Sequence, residues 1–257
     1  MRRKPDIKTL FIPATPLPAP IPPWEYHAHS NLSDGLADLS DMVDQAINSG
    51  LTRLIFTEHT EPDIATESGW FRRYLDQLRA LREKHRDRIM IGIGLEVPIT
   101  DFDGGLLLTS EMAEHVEFIL GAVHSYPGHG WDVGTLEPER AVELEYKGLM
   151  ALAENPQVDA IAHPGGICHL YNTPFPMERF EEVVKKATAN GIAIELNPAY
   201  QNPMEPYLKI LQRHNALISP GSNAHAPFEL GRAWKTLQKL ADKGERKGER
   251  EAELSSE

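Results

Sequence analysis

Seven short apolar runs alternate with longer segments of helical periodicity, and this alternation constrains the fold more than any other feature of the chain. The runs are WEYHAH (24–29), RLIFTEH (53–59), IMIGIGLE (89–96), EFILGAVH (117–124), VDAIAH (158–163), IAIELN (192–197) and ALISPGSNAH (216–225). The segments between them include LSDMVDQAINSG (39–50), RRYLDQLRALREKH (72–85) and MERFEEVVKKATANG (177–191), which have helical spacing of apolar residues. Seven strands that alternate with such helices imply right-handed crossovers and a parallel sheet, either open or closed into a barrel.

The two ends of the chain differ in composition from the rest. Residues 1–23 are proline-rich and are predicted to be an extended lead-in, and residues 242–257 form a charged tail that is predicted to be disordered or helical. Both ends are expected to be dispensable to the core. Residues 24–241 are expected to form a single domain, although 257 residues would also suffice for two.

The overall charge and the cysteine content limit the functional classes. A net charge of -12 makes a broad grip on nucleic acid unfavourable, although it leaves room for a local basic or metal-containing pocket. The single cysteine, Cys168, excludes an internal disulfide framework and fits a reducing compartment. The basic start lacks the apolar core of a signal peptide and no run reaches transmembrane length, so a cytoplasmic protein without a membrane partner is predicted. The sequence gives no indication of an oligomeric state.

Side chains that can bind metal lie at the ends of six of the seven runs. They are His27 and His29, Glu58 and His59, Glu96, His124, His163, and Asn223 with His225. In a parallel barrel the carboxyl ends of all strands converge on one rim. Residues two apart on a strand point to the same side, so His27 and His29 can chelate one ion, and Asp34 in the following loop can reach a neighbouring ion.

Each of these residues has an ordinary structural explanation when it is taken alone. An HxH pair on a strand is more often incidental than a metal site, and His124 and His163 could be hydrogen-bonded core histidines. The whole set has no packing rationale, however, because unpaired polar groups at six strand ends would cost desolvation energy. The sequence therefore predicts a metal centre. His85, His115 and His214 are predicted to be surface residues, and His129 is left undecided.

The ordered motifs HAHSNLSDG, FTEH, GLE, GAVHS, AHPGG and SNAHAP resemble those of the PHP family, named for polymerase and histidinol phosphatase, from Glu25 to Trp234. The resemblance implies a distorted (β/α)7 TIM-like barrel with two or three divalent ions, zinc, manganese or iron, that hydrolyses phosphoesters. It also implies how the ligands are divided among the ions. One ion would take His27, His29, Glu96 and Asn223; a second would share Glu96 with His124 and His163; a third would take Asp34, His59 and His225.

Such a cluster would lower the pKa of a bridging water, positioned by Glu96, and neutralise phosphoryl oxygens during displacement. We expect a phosphomonoesterase for small phosphorylated molecules, because IELNPAY and APFELGRAW resemble the histidinol-phosphatase side of the family. A phosphodiesterase or nuclease is the alternative, and it would need a basic groove. A third possibility is a metal-binding protein with impaired catalysis.

Two departures from the family pattern bear on activity. Asn223 stands where the family usually has Asp; an amide oxygen can coordinate a metal, but it is neutral and relays no proton. Glu58 replaces the Asp common before the second-strand histidine and is predicted to support the ligands from outside. For substrate phosphate, His169 and Arg232 are the favoured contacts, ahead of Arg72, Arg73 and Lys147.

Overall fold

The computed structural model describes residues 10–65, 67–128 and 136–254 and shows one curled sheet of eight strands with helices packed around it. The strands are β1 (Ile12–Pro13), β2 (Trp24–Glu25), β3 (Arg53–His59), β4 (Met90–Pro98), β5 (Phe118–Ala122), β6 (Ala160–Ile161), β7 (Ala193–Leu196) and β8 (Leu217–Pro220). The helices are α1 (Leu39–Asn48), α2 (Trp70–Lys84), α3 (Ser110–His115), α4 (Pro138–Glu154), α5 (Gly166–Leu170), α6 (Met177–Ala189), α7 (Glu205–Arg213) and α8 (Arg232–Leu254).

The seven predicted strands are all present, as β2 to β8, and each pairs in parallel with the next one along the chain. The two outer parallel strands also approach each other beyond their carboxyl ends. Tyr26 N donates to Pro220 O at 2.8 Å, and Ala28 pairs in parallel with Ala224. These contacts join the segments after β2 and β8 at the end where the predicted ligands lie, and the distorted (β/α)7 TIM-like barrel is confirmed.

The proline-rich segment contributes an eighth strand, which differs from the expectation that it lies outside the core. Within residues 10–23, β1 pairs antiparallel with β8, with Ile12 opposite Ile218. Ile12, Ala14 and Ile21 are almost completely buried. Proline cannot donate a ladder hydrogen bond, but it is tolerated on an edge strand, and β1 is at the edge of the sheet. The predicted domain boundaries, residues 24 and 241, stay a prediction.

The helices cover the sheet with the apolar faces that their periodicity predicts. In α1 the side chain of Asp38 accepts from Asp41 N at 2.8 Å and caps the helix, and Met42 and Val43 are buried. In α2 the Tyr74 hydroxyl lies 2.7 Å from Gly94 O on β4, to which it donates, and 3.0 Å from Phe56 O on β3. The helix thereby ties together the two strands that carry His59 and Glu96. At the other end of the chain, α8 continues through residues 242–254 of the predicted charged tail.

Three histidines were expected at the surface, and one of these predictions is wrong. His85, directly after α2, is 5% exposed, and its carbonyl accepts from Arg88 N and Ile89 N in the turn that follows. His115 is exposed as predicted, and His214 is half-buried beside Glu181. His129 lies outside the described residues. No helix in the described part of the chain is both long and apolar enough to cross a membrane.

Candidate metal centre

All nine predicted ligands lie at the carboxyl end of the barrel, on β3, on β4 or on the segments that follow β2, β5, β6 and β8. Their donor atoms form overlapping groups. The sets whose ligand atoms lie within 4.8 Å of one another are His29, Asp34, His59 and His225; His27, His29 and Glu96; Glu96, His124 and His163; and His59, Glu61 and His124. The first three sets correspond to the predicted division, with His29 common to two of them. Asn223 joins the cluster through its Oδ1 atom, 3.0 Å from His29 Nε2.

Glu96 is at the middle of the cluster and is completely buried. Its Oε1 atom lies 3.0 Å from His124 Nε2 and 2.9 Å from His163 Nε2; its Oε2 atom lies 3.2 Å from His27 Nε2, 3.4 Å from His59 Nδ1 and 3.6 Å from His29 Nε2. Burial alone would raise the pKa of Glu96, but the neighbouring histidines outweigh it and hold the pKa well below its usual range. The carboxylate is therefore placed as a bridging ligand would be.

Asp34 closes the opposite side of the cluster from the loop after β2. Its Oδ2 atom lies 3.2 Å from His225 Nε2 and 3.6 Å from His59 Nε2. Burial would lower the pKa of His225, but the Asp34 carboxylate reverses this and raises it. Glu58 accepts hydrogen bonds from Ser30 N and the Ser33 hydroxyl. Through these bonds Glu58 supports the loop that carries Asp34. It does not hold a histidine ligand in the way that Glu195 and Glu61 do.

The cluster contains buried polar atoms that find no hydrogen-bond partner among the described residues. They are His27 Nε2, His29 Nδ1, His59 Nδ1, Glu61 Oε2 and Glu96 Oε2. Leaving such atoms unpaired is costly, and cations between them would satisfy the nitrogen and oxygen lone pairs together. Imidazole and carboxylate donors are those that zinc, manganese and iron accept. The residues present therefore fit a group of divalent ions.

Glu195 on β7 belongs to the site, although it was not among the predicted site residues. It is completely buried, and its Oε1 atom lies 2.6 Å from His27 Nδ1 while Oε2 accepts from His163 N at 2.5 Å. A histidine that donates through Nδ1 presents Nε2 to a metal, so Glu195 fixes the orientation of His27. A Cβ on Gly221 would come within 1.8 Å of Glu195 Oε1, so the carboxylate occupies space that only glycine leaves free.

Glu61 acts in the same way on His124 and was also missed. Its Oε1 atom lies 2.5 Å from His124 Nδ1. Burial would raise the pKa of Glu61, but the neighbouring His124 and His59 outweigh it and lower the pKa to about 2. Glu25 has a structural role instead: its carboxylate accepts from Ser222 N and Gly231 N and so anchors the loop after β8.

Asn223 has a left-handed backbone conformation, with φ of 49°, which asparagine tolerates better than most residues. Its side-chain amide faces two ways. Oδ1 points to His29, and Nδ2 donates to the Tyr200 hydroxyl at 3.0 Å. Burial raises the pKa of Tyr200 to about 12, so the hydroxyl keeps its proton near neutrality. Tyr200 was not predicted as a site residue, although it is the last residue of the IELNPAY segment.

A pocket of about 220 Å³ opens onto the cluster. Ligand residues and Tyr200 form one part of its wall, and the apolar side chains of Ile64, Val123, Ile167 and Leu170 form another. The predicted phosphate contacts are not among the described residues that line it. Arg232 is exposed and paired with Glu229 at 3.0 Å, and the exposed His169 packs edge-on against Tyr200 with ring centroids 5.6 Å apart. Their roles stay predictions.

The other basic candidates lie away from this pocket. Arg73 pairs with Glu67, and Lys147 is 3.6 Å from Glu143 on the same helix. Arg72 is exposed on α2. The lining that the structure describes contains no lysine or arginine. Among the described lining residues, only the histidines can carry a positive charge.

Comparison with known proteins agrees with this geometry. The family model described as PHP domain matches residues 25–199. A probable phosphatase of Acetivibrio thermocellus is 27% identical over 218 residues, covering 80% of each chain. A probable histidinol-phosphatase of Schizosaccharomyces pombe is 22% identical over 271 residues, covering 86% of each.

Solved structures share the fold. The histidinol phosphate phosphatase of Lactococcus lactis, in complex with zinc, L-histidinol and phosphate, superposes with a TM-score of 0.66 at 20% identity, covering 86% of this chain and 94% of that one. A putative histidinol phosphatase of Listeria monocytogenes gives a TM-score of 0.67 at 15% identity, covering 83% and 99%.

Proposed function

Because the chain belongs to the PHP domain family, we propose that it is a metal-dependent phosphomonoesterase that acts on a small phosphorylated substrate. The observation that carries this proposal is the buried Glu96 carboxylate, which lies within 3.6 Å of five imidazole nitrogens. The phosphatase names of the relatives support the reaction class. Two or three ions of zinc, manganese or iron would be held by His27, His29, Asp34, His59, Glu96, His124, His163, Asn223 and His225.

Divalent ions at these residues would supply an activated water near neutral pH and charge neutralisation for phosphoryl oxygens. The chain itself contributes orientation. Glu195 and Glu61 each hold one nitrogen of a histidine, which leaves the other nitrogen directed at the centre. The nine proposed ligands lie on two strands and on the segments that follow four others, so the barrel itself brings their donor atoms together before a substrate binds.

The pocket favours a small organic phosphate over nucleic acid. Its volume of about 220 Å³ suits a phosphoryl group with a compact organic part. The apolar wall formed by Ile64, Val123, Ile167 and Leu170 offers contact to that organic part. A nuclease would instead need a basic groove along the polymer, whereas the chain carries a net charge of -12.

The test is a comparison of substrates on metal-loaded protein. Aryl and alkyl phosphomonoesters should be hydrolysed faster than a phosphodiester of the same alcohol and faster than single-stranded DNA. Faster cleavage of the diester or the DNA would favour the nuclease alternative. Metal-loaded protein that hydrolyses none of these compounds would favour impaired catalysis.

A further inference from the structure

Tyr200 and Asn223 form a hydrogen-bonded pair at the edge of the pocket, beside the proposed ligands. We propose that Asn223 sets the Tyr200 hydroxyl as a hydrogen-bond donor to a phosphoryl oxygen of the substrate. This inference rests on the proposed phosphatase function and adds to it a residue that contacts the substrate.

The hydrogen bond between the two side chains runs from Asn223 to Tyr200. Asn223 Oδ1 faces His29 Nε2 at 3.0 Å, on the side of the proposed metal ligands, where an oxygen atom can bind a cation. The amide nitrogen is then turned the other way and donates to the Tyr200 hydroxyl oxygen at 3.0 Å. Since an amide nitrogen is only a donor, the hydroxyl must be the acceptor in this contact.

The Tyr200 hydroxyl still has its own hydrogen to donate. A phenolic hydroxyl has one hydrogen to donate, and accepting from Asn223 does not use it. In the part of the chain that the structure describes, the Tyr200 hydroxyl has no second hydrogen-bond partner. An aspartate at position 223 would present only acceptors, so the hydroxyl would donate to it. The asparagine therefore releases the hydroxyl hydrogen for an acceptor in the pocket.

The Tyr200 ring is held in a fixed position at the pocket wall. Tyr200 follows β7 in a turn where its own N–H and that of Gln201 donate to Asn197 O. Its ring packs against His163 and His169, with centroids 4.8 and 5.6 Å away. The hydroxyl is thus held in place at a pocket wall that the described residues leave without lysine or arginine. A neutral donor here is suited to a phosphoryl oxygen.

The experiment compares metal-loaded wild type with Tyr200→Phe, Asn223→Asp and the double variant. Tyr200→Phe keeps the ring packing and should lower kcat/KM by about 10- to 100-fold, the loss expected for a hydrogen bond to a charged group. The loss should be equal for an aryl and an alkyl phosphomonoester, because both share the phosphoryl group. The affinity for inorganic phosphate, measured by calorimetry, should fall in parallel while the metal content stays unchanged.

The second part of the experiment tests the role of Asn223. Asn223→Asp should recruit the hydroxyl to its new carboxylate, so adding Tyr200→Phe to it should change kcat/KM by less than about 3-fold. Tyr171→Phe is the matched control, because Tyr171 is a partly exposed tyrosine after α5 that does not line the pocket. It should leave phosphate affinity and kcat/KM unchanged.

Three results would overturn the inference while leaving the phosphatase function standing. They are wild-type activity and phosphate affinity in Tyr200→Phe, a loss confined to the alkyl ester, and an undiminished effect of Tyr200→Phe in the Asn223→Asp background. A metal-loaded wild type that neither binds phosphate nor hydrolyses any phosphomonoester would overturn both proposals.

Discussion

At the scale of single residues, one carboxylate holds the centre together. Glu96 shares its two oxygens among five imidazoles, and its complete burial means that no solvent compensates for a lost charge. Removing one member of a buried charged network leaves the other members unpaired, which costs more than the deleted contact itself.

Glu96→Gln tests this position with little change of shape. The neutral amide cannot bridge two cations, so we expect at least about a 100-fold fall in kcat/KM, since even residues that only orient metal ligands contribute 10- to 100-fold. Elemental analysis should show the loss of more than one ion per chain. The control is His115→Gln, at an exposed histidine on α3, which should alter neither quantity. If both variants behave alike, Glu96 is not the bridge.

The residues that orient the ligands could not be found from the sequence. Glu195 sits inside the apolar run IAIELN, where a single acid looks like an ordinary strand residue. Its partner His27 is 168 positions away, and only the closed sheet brings the two together. The proposed ligands could be named from the sequence because they recur at the same place, the carboxyl ends of six of the seven predicted strands. Glu61 and Tyr200 have no such regularity.

At the scale of elements, the close packing of β7 against the loop after β8 positions His27. Gly221 allows this approach, since a Cβ there would lie 1.8 Å from Glu195 Oε1 and 2.9 Å from His27 Cβ. A larger residue at position 221 is excluded by these contacts and not by the backbone conformation, because Gly221 is not among the residues with positive φ.

Gly221→Ala should therefore push Glu195 away from His27. We expect metal affinity to fall by about 10- to 100-fold, and the free energy of unfolding to fall by about 1–3 kcal/mol through overpacking. Gly244→Ala is the control, because its Cβ would meet no atom within 4 Å on an exposed part of α8. That change should leave metal affinity intact and raise stability by up to about 1 kcal/mol. Equal metal affinity in the two variants would contradict the assigned role of Glu195.

The edge strand β1 was not predicted from the sequence. Prolines around residues 12–20 argue against a strand in the interior of a sheet, and this led to the prediction of a dispensable lead-in. The same prolines are compatible with a two-residue edge strand. Its pairing with β8 joins positions more than 200 residues apart, which no local pattern reveals.

Ile12→Ala measures what this strand contributes. Ile12 is completely buried against the core, so its truncation should lower the free energy of unfolding by about 2–5 kcal/mol. Met90→Ala, at a side chain that is 42% exposed at the start of β4, should change stability by less than about 0.5 kcal/mol. Denaturant unfolding compares the two; an equal effect would mean that β1 is peripheral to the fold.

At the scale of the whole molecule, an acidic chain holds a site for an anionic substrate. The net charge of -12 and the absence of lysine and arginine from the described pocket lining leave bound cations as the main source of local positive charge. The barrel makes this possible by gathering donors from six strands and their loops at one rim. Activity should therefore depend on metal content throughout.

The most direct test of this account is a metal titration of the stripped protein, with phosphate release from a phosphomonoester followed at each step. Activity should be absent without metal, rise as zinc or manganese is added, and reach its plateau between two and three ions per chain, because the ligand sets overlap around Glu96 and Asp34. Activity that persists in the fully chelated protein would contradict the account. So would a protein that has bound its full complement of ions and still releases no phosphate.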